Sequence, residues 1–364
     1  MYQERMLRLR GRMAATKTDL VVLGPTSHMV WLSGLTPHGD ERPVLLAVGP
    51  DHAGFLMPAL NADSQRPKTD LPFFTWTDAE GPDAALAALL GHVGADVPDV
   101  SVVLDEAMRA DFALLVLDAL PDASRRFTAD TVGTLRARKD EAEFLALKKS
   151  ALINDKAMAA AFAALQPGVT ERDIAGVIRD SYAEHGAKPE FTIVGFGENG
   201  AFPHHHSSDR VLRANEAVLI DIGCRIDGYP SDMTRVAVIG DKPTGFDAVH
   251  AVLERAVMAA LLAARPGIAA KEVDKAARDV ITDAGYGEFF LHRTGHGLGI
   301  DVHEPPYITA TSETILEEGN VFSIEPGIYL ADRFGVRLEE IVIVRGNHAE
   351  VLSELPRTAV VVKP

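Results

Sequence analysis

Four acidic residues stand inside or beside apolar, β-rich runs in the second half of the chain, and their setting is repeated. The segment VLIDIGCRIDGYPSDMTRVAVI carries Asp221 and Asp232, and VFSIEPGIYLADRFGVRLEEIVIV carries Glu325 and Glu339. Between them lies HRTGHGLGIDVHEPP, with His292, His296 and His303. Carboxylates crowded into a low-dielectric setting repel one another unless they are protonated or paired with cations. Any fold that packs these strands together must neutralise the acids. Four anionic ligands balance two dications, and one imidazole adds a neutral donor. A single acid in such a place is equally a strand-end carboxylate held by a salt bridge; the matched set points to a metal centre. Oxygen-rich ligation with one imidazole favours Mn²⁺, with Co²⁺ or Zn²⁺ as alternatives, over a thiolate zinc site. Two such ions about 3.5–4 Å apart acidify a shared water toward a pKa of about 7.

The repeat extends beyond the acids. LQPGVTERDIAGVIRDSYAEHGA (165–187) and ARPGIAAKEVDKAARDVITDAGY (264–286) share a Pro-Gly turn and an amphipathic helical pattern. Each is followed by a strand ending in Ile-Asp-Ile-Gly or Ile-Glu-Pro-Gly, and then by a second strand with another acid. Two such α/β halves packed about a pseudo-twofold bring the four acids face to face. Asp221 and Asp232 are expected on a hairpin turned at Cys224–Tyr229.

The first third alternates strand-like runs (20–23, 44–48, 54–57, 73–76, 100–104) with helical spacing at 82–92 and 109–120, which predicts a small α/β domain. A long helix is expected over roughly 140–165, rich in Ala, Leu, Lys and Glu. The expected domains are residues 1–130 and 131–364.

The net charge of −16 disfavours nucleic acid and anionic membrane surfaces as partners. One cysteine, Cys224, excludes an internal disulfide and suits a reducing cytosol; its place in the hairpin suggests a small packing residue. The polar start MYQERMLRLRGRMAATKTDL and the absence of a run of about 18 apolar residues make a soluble, cytoplasmic protein the expectation.

These motifs resemble those of the pita-bread dinuclear metallopeptidases, a family of methionine aminopeptidase, aminopeptidase P, prolidase and the metal-free creatinase. The resemblance covers residues 135–355 strongly and the first 130 more loosely, as a creatinase-like amino-terminal domain. It implies an α/β (α+β) fold, with that domain followed by a pseudo-twofold pita-bread catalytic domain. It implies two divalent metals per subunit held by Asp221, Asp232, His296, Glu325 and Glu339, with Asp232 and Glu339 bridging both ions. Asp221 then completes one ion and His296 with Glu325 the other. Creatinase lacks these ligands, and this chain keeps all five.

The resemblance also implies that Glu325 is the general base and that His204, in NGAFPHHHSSDR, and His303 contact the substrate carbonyl. His205 and His206 read as surface loop residues. His292 is expected to line the pocket or brace the Gly-rich loop, and Arg337 to approach the substrate or to brace a ligand carboxylate. The creatinase-like domain points to the proline-specific branch, hence to Xaa-Pro dipeptides as substrate and a homodimer as assembly. Alternatives are an aminopeptidase P, acting on longer Xaa-Pro peptides, and a catalytically silent binding protein on the same fold. One departure bears on that choice. HEPPY places Tyr307 where some family dipeptidases carry the arginine that grips the proline carboxylate. Arg42, in the loop TPHGDERP (36–43), or else Arg293, is the candidate replacement, supplied across a dimer.

Overall fold

The computed structural model describes residues 1–363, which divide into two compact units with the boundary between Arg136 and Ala137. The boundary falls after Arg136 rather than at residue 130. The reason is visible in two contacts: Arg12 donates to the Asp130 carbonyl at 3.1 and 2.8 Å, and Arg136 donates to His28 Nδ1 at 3.0 Å. Both tie the 128–136 segment to the first unit.

The first unit is a six-stranded mixed sheet with helices. Its strands run in the order Phe73–Trp76, Ala53–Pro58, Leu45–Val48, Leu20–Leu23, Ser101–Leu104, Ser124–Phe127. The central strand Leu20–Leu23 pairs antiparallel with Leu45–Val48 and parallel with Ser101–Leu104. Its four residues are all buried, as a strand covered on both faces requires. Five of these strands fall where the apolar runs predict them, as do the helices Asp83–His92 and Ala110–Ala119. The sixth, Ser-Arg-Arg-Phe, is an edge strand with three of its four residues exposed, so it carries no apolar run. The helix Tyr2–Thr16 is equally unannounced: only Arg5, Leu9 and Met13 are buried along it.

The second unit opens on the helix Glu141–Ala164. A capping box fixes its start: the Asp140 carboxylate accepts the Glu143 N–H at 2.9 Å, and Glu143 accepts the Asp140 N–H at 3.1 Å. Thr170 and Asp173 repeat the device for Glu171–Glu184. In the second half the corresponding helices are Phe246–Ala263 and Ala270–Asp283; the latter buries Val273, Ala277 and Ile281, one stripe at helical spacing.

Each half then supplies a sheet. One has the order Val360–Val362, Met233–Ile239, Ala217–Ile226, Lys188–Phe196. The other runs Glu304–Ile308, Gly295–Gly297, Val321–Ile324, Glu340–Arg345, His348–Val351. The creatinase-like α/β unit followed by two matched α/β halves is the fold that the resemblance implies. No helix among the described residues is long and apolar enough to cross a membrane.

Candidate metal centre

Strand pairing brings the acids together. Asp221 lies opposite Thr234 on the antiparallel pair Ala217–Ile226 and Met233–Ile239. The turn is tighter than the expected Cys224–Tyr229: the first strand continues to Ile226, and the chain reverses at Asp227 and Gly228 with φ of 51° and 87°. Asp232 immediately precedes the second strand. In the other half Ile324 pairs with Glu340, so Glu325 and Glu339 sit just past the end of that ladder. A small hairpin, Gly327–Leu330 with Phe334–Arg337, intervenes between them.

His296 stands between two glycines for a steric reason. A Cβ at Gly295 would lie 1.8 Å from the Ser323 carbonyl oxygen, and one at Gly297 would lie 2.3 Å from that of Glu304. Only glycine lets this strand pass so close to its neighbours.

All five expected ligands converge. Ligand atoms of Asp221, Asp232 and Glu339 lie within 4.8 Å of one another, as do those of His296, Glu325 and Glu339, so Glu339 belongs to both groups. Asp232, His296 and His303 form a third such group. The set lines a cavity of about 960 Å³ together with Glu190, Phe191, Ile193, His204, His292, Arg293 and Arg337.

The donors fit divalent cations on three grounds. First, Asp221 Oδ1 and Glu339 Oε1 are buried with no hydrogen-bond partner, a costly condition for carboxylate oxygens. Second, His296 Nδ1 lies 3.1 Å from the Gly297 carbonyl, which can only accept, so Nδ1 carries the proton. Burial lowers this imidazole to about 3, leaving it neutral. Its bare Nε2 then faces Glu325 Oε1 at 3.3 Å and Asp232 Oδ2 at 3.6 Å, acceptor against acceptors whenever those carboxyls are ionised. A cation among them resolves the conflict. Third, burial and the repulsion of Glu339, Asp221 and Glu325 hold Asp232 well above the ordinary carboxyl range. Glu339 is raised in the same way by burial, Glu325 and Asp221. Burial pushes Glu325 up to about 7, against the opposing charge of Arg337.

A buried network orients these ligands. Arg337 donates from Nε to Thr234 Oγ1 at 2.8 Å, from Nη1 to Tyr329 Oη at 2.8 Å, and from Nη2 to Asp221. The Thr234 hydroxyl in turn donates to Glu339 Oε2 at 2.7 Å. Tyr329 Oη lies 2.7 Å from His292 Nε2, and His292 Nδ1 lies 2.7 Å from the Arg293 carbonyl. Burial lowers His292 to about 4, so it accepts from the tyrosine as a neutral ring. Arg337 is thus committed to bracing Asp221. Thr234 and Tyr329 are not singled out in the sequence reading; Thr234, two residues beyond Asp232 in the strand that follows it, is the one that alternation could have flagged.

The histidine run divides three ways. His204 lines the cavity. His205 turns inward, not outward as a surface loop residue: its Nε2 lies 2.8 Å from the buried Glu171. His206 is exposed. His303 lines the cavity with its ring centroid 4.0 Å from that of His296. One expected substrate contact, Tyr307, does not line it. Tyr307 carries the Arg293 guanidinium on its ring at 4.8 Å. Arg42 belongs to the first unit, where its guanidinium is forked on Asp78 at 3.0 and 2.9 Å. Cys224 is buried and packs beside Ser150 and Ser231.

Two family models match the chain. Residues 146–346 match the family described as metallopeptidase family M24, and residues 5–137 match the Creatinase/Prolidase N-terminal domain. A probable dipeptidase PepE of Mycobacterium tuberculosis is 41% identical over 289 residues, 79% of this chain and 76% of the relative. A Xaa-Pro dipeptidase of Lactobacillus helveticus is 35% identical over 337 residues, covering 90% of this chain and 91% of its own. The crystal structure of dipeptidase PepE from Mycobacterium ulcerans superposes with a TM-score of 0.94 at 35% identity, over 100% of this chain and 98% of that one.

Proposed function

We propose that this chain, which belongs to metallopeptidase family M24 and carries the Creatinase/Prolidase N-terminal domain, hydrolyses the Xaa-Pro bond of dipeptides. The observation that carries the reading is the convergence of Asp221, Asp232, His296, Glu325 and Glu339 in one cavity, with two carboxylate oxygens buried and unpartnered. The dipeptidase names of its relatives support the substrate class.

These five residues would hold two divalent cations, Mn²⁺ in first place and Co²⁺ or Zn²⁺ as substitutes. When bound, the ions neutralise the four acids and supply Lewis acidity for acidifying water and polarising a carbonyl. The remaining work falls to the protein. Glu325 takes the proton from the attacking water and delivers it to the imino nitrogen as the C–N bond breaks. Its Oε1 already accepts from Ser323 Oγ at 3.0 Å, which fixes the carboxylate for that transfer. His303 and His204 present ring nitrogens to the carbonyl oxygen as it gains charge; each such donor is worth a few kcal/mol, of order 10²–10³ in rate. Thr234, Tyr329 and Arg337 hold the ligand carboxylates in place. The protein acts as a cytoplasmic homodimer.

The test is a peptide-length series. After chelation and dialysis, Mn²⁺ is expected to restore hydrolysis of Ala-Pro ahead of Ala-Pro-Ala. Preference for the tripeptide converts the reading to an aminopeptidase, and no turnover of either peptide with Mn²⁺, Co²⁺ or Zn²⁺ rejects it in favour of a silent binding protein.

A further inference from the structure

His204 lines the cavity from an exposed position, and among the described residues no hydrogen bond or ion pair holds its ring. Its aim must come from the loop that carries it. That loop leaves the strand Lys188–Phe196, passes through the one-turn helix Gly197–Ala201 and returns along residues 207–212. A single buried carboxylate, that of Glu171 in the first turn of the helix Glu171–Glu184, ties its two legs together. One oxygen serves the outgoing leg: Oε1 accepts the Phe196 N–H and the Asn199 amide, each at 2.9 Å. The other serves the return. Oε2 accepts His205 Nε2 at 2.8 Å, the Ser208 N–H at 2.8 Å and the Ser208 hydroxyl at 2.7 Å. Burial opposes the charge on Glu171, yet these bonds keep its carboxyl below the ordinary range.

Backbone bonds already hold the return leg from residue 208 on, with the Arg172 N–H on the Ser208 carbonyl at 3.1 Å and the Glu171 N–H on that of Arg210 at 3.2 Å. What the carboxylate adds is its hold on His205, the residue next to His204. Glu171 can only accept, so His205 Nε2 donates. The His205 N–H also reaches the Phe202 carbonyl at 3.1 Å, closing a turn that contains His204. With His205 fixed inward, the freedom left to His204 is rotation of its own side chain. The other histidine expected at the carbonyl is built in the same way. Glu304, the residue after His303, is buried and receives Lys139 Nζ at 2.7 Å. Each of these histidines stands one residue before a side chain anchored on a buried, charged partner.

We infer that Glu171, acting through His205, is a positioning residue that aims His204 at the substrate carbonyl. The inference rests on the peptidase reading above and deepens it. A donor that works as the carbonyl gains charge must be aimed before the reaction begins, and a displacement of about 1 Å can cost on the order of 10²-fold in rate.

The experiment uses Mn²⁺-loaded protein and whichever of Ala-Pro and Ala-Pro-Ala the wild type cuts faster. It compares wild-type protein, Glu171→Gln, His205→Ala, His205→Gln and His204→Ala, with the first two changes also made in the His204→Ala background. Glu171→Gln keeps the shape but sets an amide N–H₂ against the donors of one leg. Its kcat is expected to fall about ten- to hundredfold with KM nearly unchanged. His205→Ala falls by a similar factor, and His205→Gln, whose amide nitrogen replaces Nε2, recovers most of the loss. His205 is only partly buried, so its variants decide the matter should Glu171→Gln not fold. In the His204→Ala background neither change lowers kcat further, because nothing is left to aim. Bound Mn²⁺, measured by elemental analysis, stays at the wild-type level throughout. Undiminished kcat in His205→Ala overturns the inference, as does a full second loss in the His204→Ala background. A variant that loses Mn²⁺ overturns it too, since the defect then runs through the metal. His204→Ala with the wild-type rate also overturns it, and leaves the peptidase reading standing. Turnover of neither peptide by wild-type protein rejects that reading itself, and the inference falls with it.

Discussion

The two units each gather a histidine and acids to within 4.8 Å, and only one of the clusters calls for a metal. In the first unit His28 stands beside Asp105 and Glu106. There every acceptor is served. Asp105 receives the N–H groups of Gly24 and Ala107 and the hydroxyl of Thr26. Glu106 receives the Thr128 hydroxyl at 2.7 Å, and Arg136 donates to His28 Nδ1 at 3.0 Å. Burial works against the Glu106 charge, yet hydrogen bonds from His28 and Thr128 hold it down to about 2. In the second unit the same residue types leave Asp221 Oδ1 and Glu339 Oε1 without partners, and burial drives Asp232, Glu325 and Glu339 upward. Proximity is common to both. Unsatisfied lone pairs distinguish the site that needs a cation from the one that is a structural knot.

The sharpest way to break this contrast is to remove one acid from each cluster. Glu339→Gln is expected to lower kcat/KM by on the order of 10³-fold or more, the scale of lost charge stabilisation at a reacting centre. Without metal, the same variant melts at a higher temperature than wild-type protein, because it removes a repelling buried charge. Asp105→Asn behaves oppositely. It sets an amide against backbone donors, destabilises the first unit by about 1–3 kcal/mol, and leaves the thermal response to Mn²⁺ intact. Calorimetric melting with and without Mn²⁺ checks both.

A smaller effect is expected one layer out. Thr234→Val removes the hydroxyl that joins Arg337 to Glu339, and Mn²⁺ affinity falls about 10- to 100-fold, as for other groups that orient a ligand. Metal titration followed by activity measures it. If affinity is unchanged, the Thr234 contact does not orient Glu339.

The smallest effects are those of pH on stability, and their signs are opposite in the two clusters. Glu325 is raised to about 7 from 4.5, so the folded metal-free protein holds a proton that the unfolded chain has lost. Stability from this group is present below about pH 4.5 and is lost as pH rises through about 7. Glu106 is lowered to about 2, so its contribution is present above about pH 4.5 and is lost as pH falls through about 2. Glu325→Gln is expected to flatten the neutral arm of the metal-free profile and Glu106→Gln the acid arm. Saturating Mn²⁺ turns the neutral arm upward, since binding displaces protons.

Much of this was legible because the residues announce themselves against their background. Acids next to Val-Ile-Leu runs have few structural uses, which made Asp221, Asp232, Glu325 and Glu339 visible, whereas His296 was separated from His292 and His303 only by the family resemblance. Elements with one exposed side left weaker traces: the edge strand Ser124–Phe127 and the helix Tyr2–Thr16 bury too little to show a pattern. Contacts between residues distant along the chain left none. Nothing near His205 indicates that the buried Glu171 will claim it, and nothing near Arg337 names Asp221, which lies 116 residues away. Arg293 and Tyr307 are separated by a strand and a loop, and only the fold stacks one on the other.

The central claim is a shared carboxylate between two ion positions, and equilibrium dialysis against Mn²⁺ with elemental analysis tests it most directly. Wild-type protein is expected to retain two ions per chain. Because Glu339 belongs to both ligand groups, Glu339→Gln loses both ions, whereas His296→Ala loses one. Wild-type protein that binds no Mn²⁺, or a Glu339→Gln variant that still holds two ions, contradicts the account.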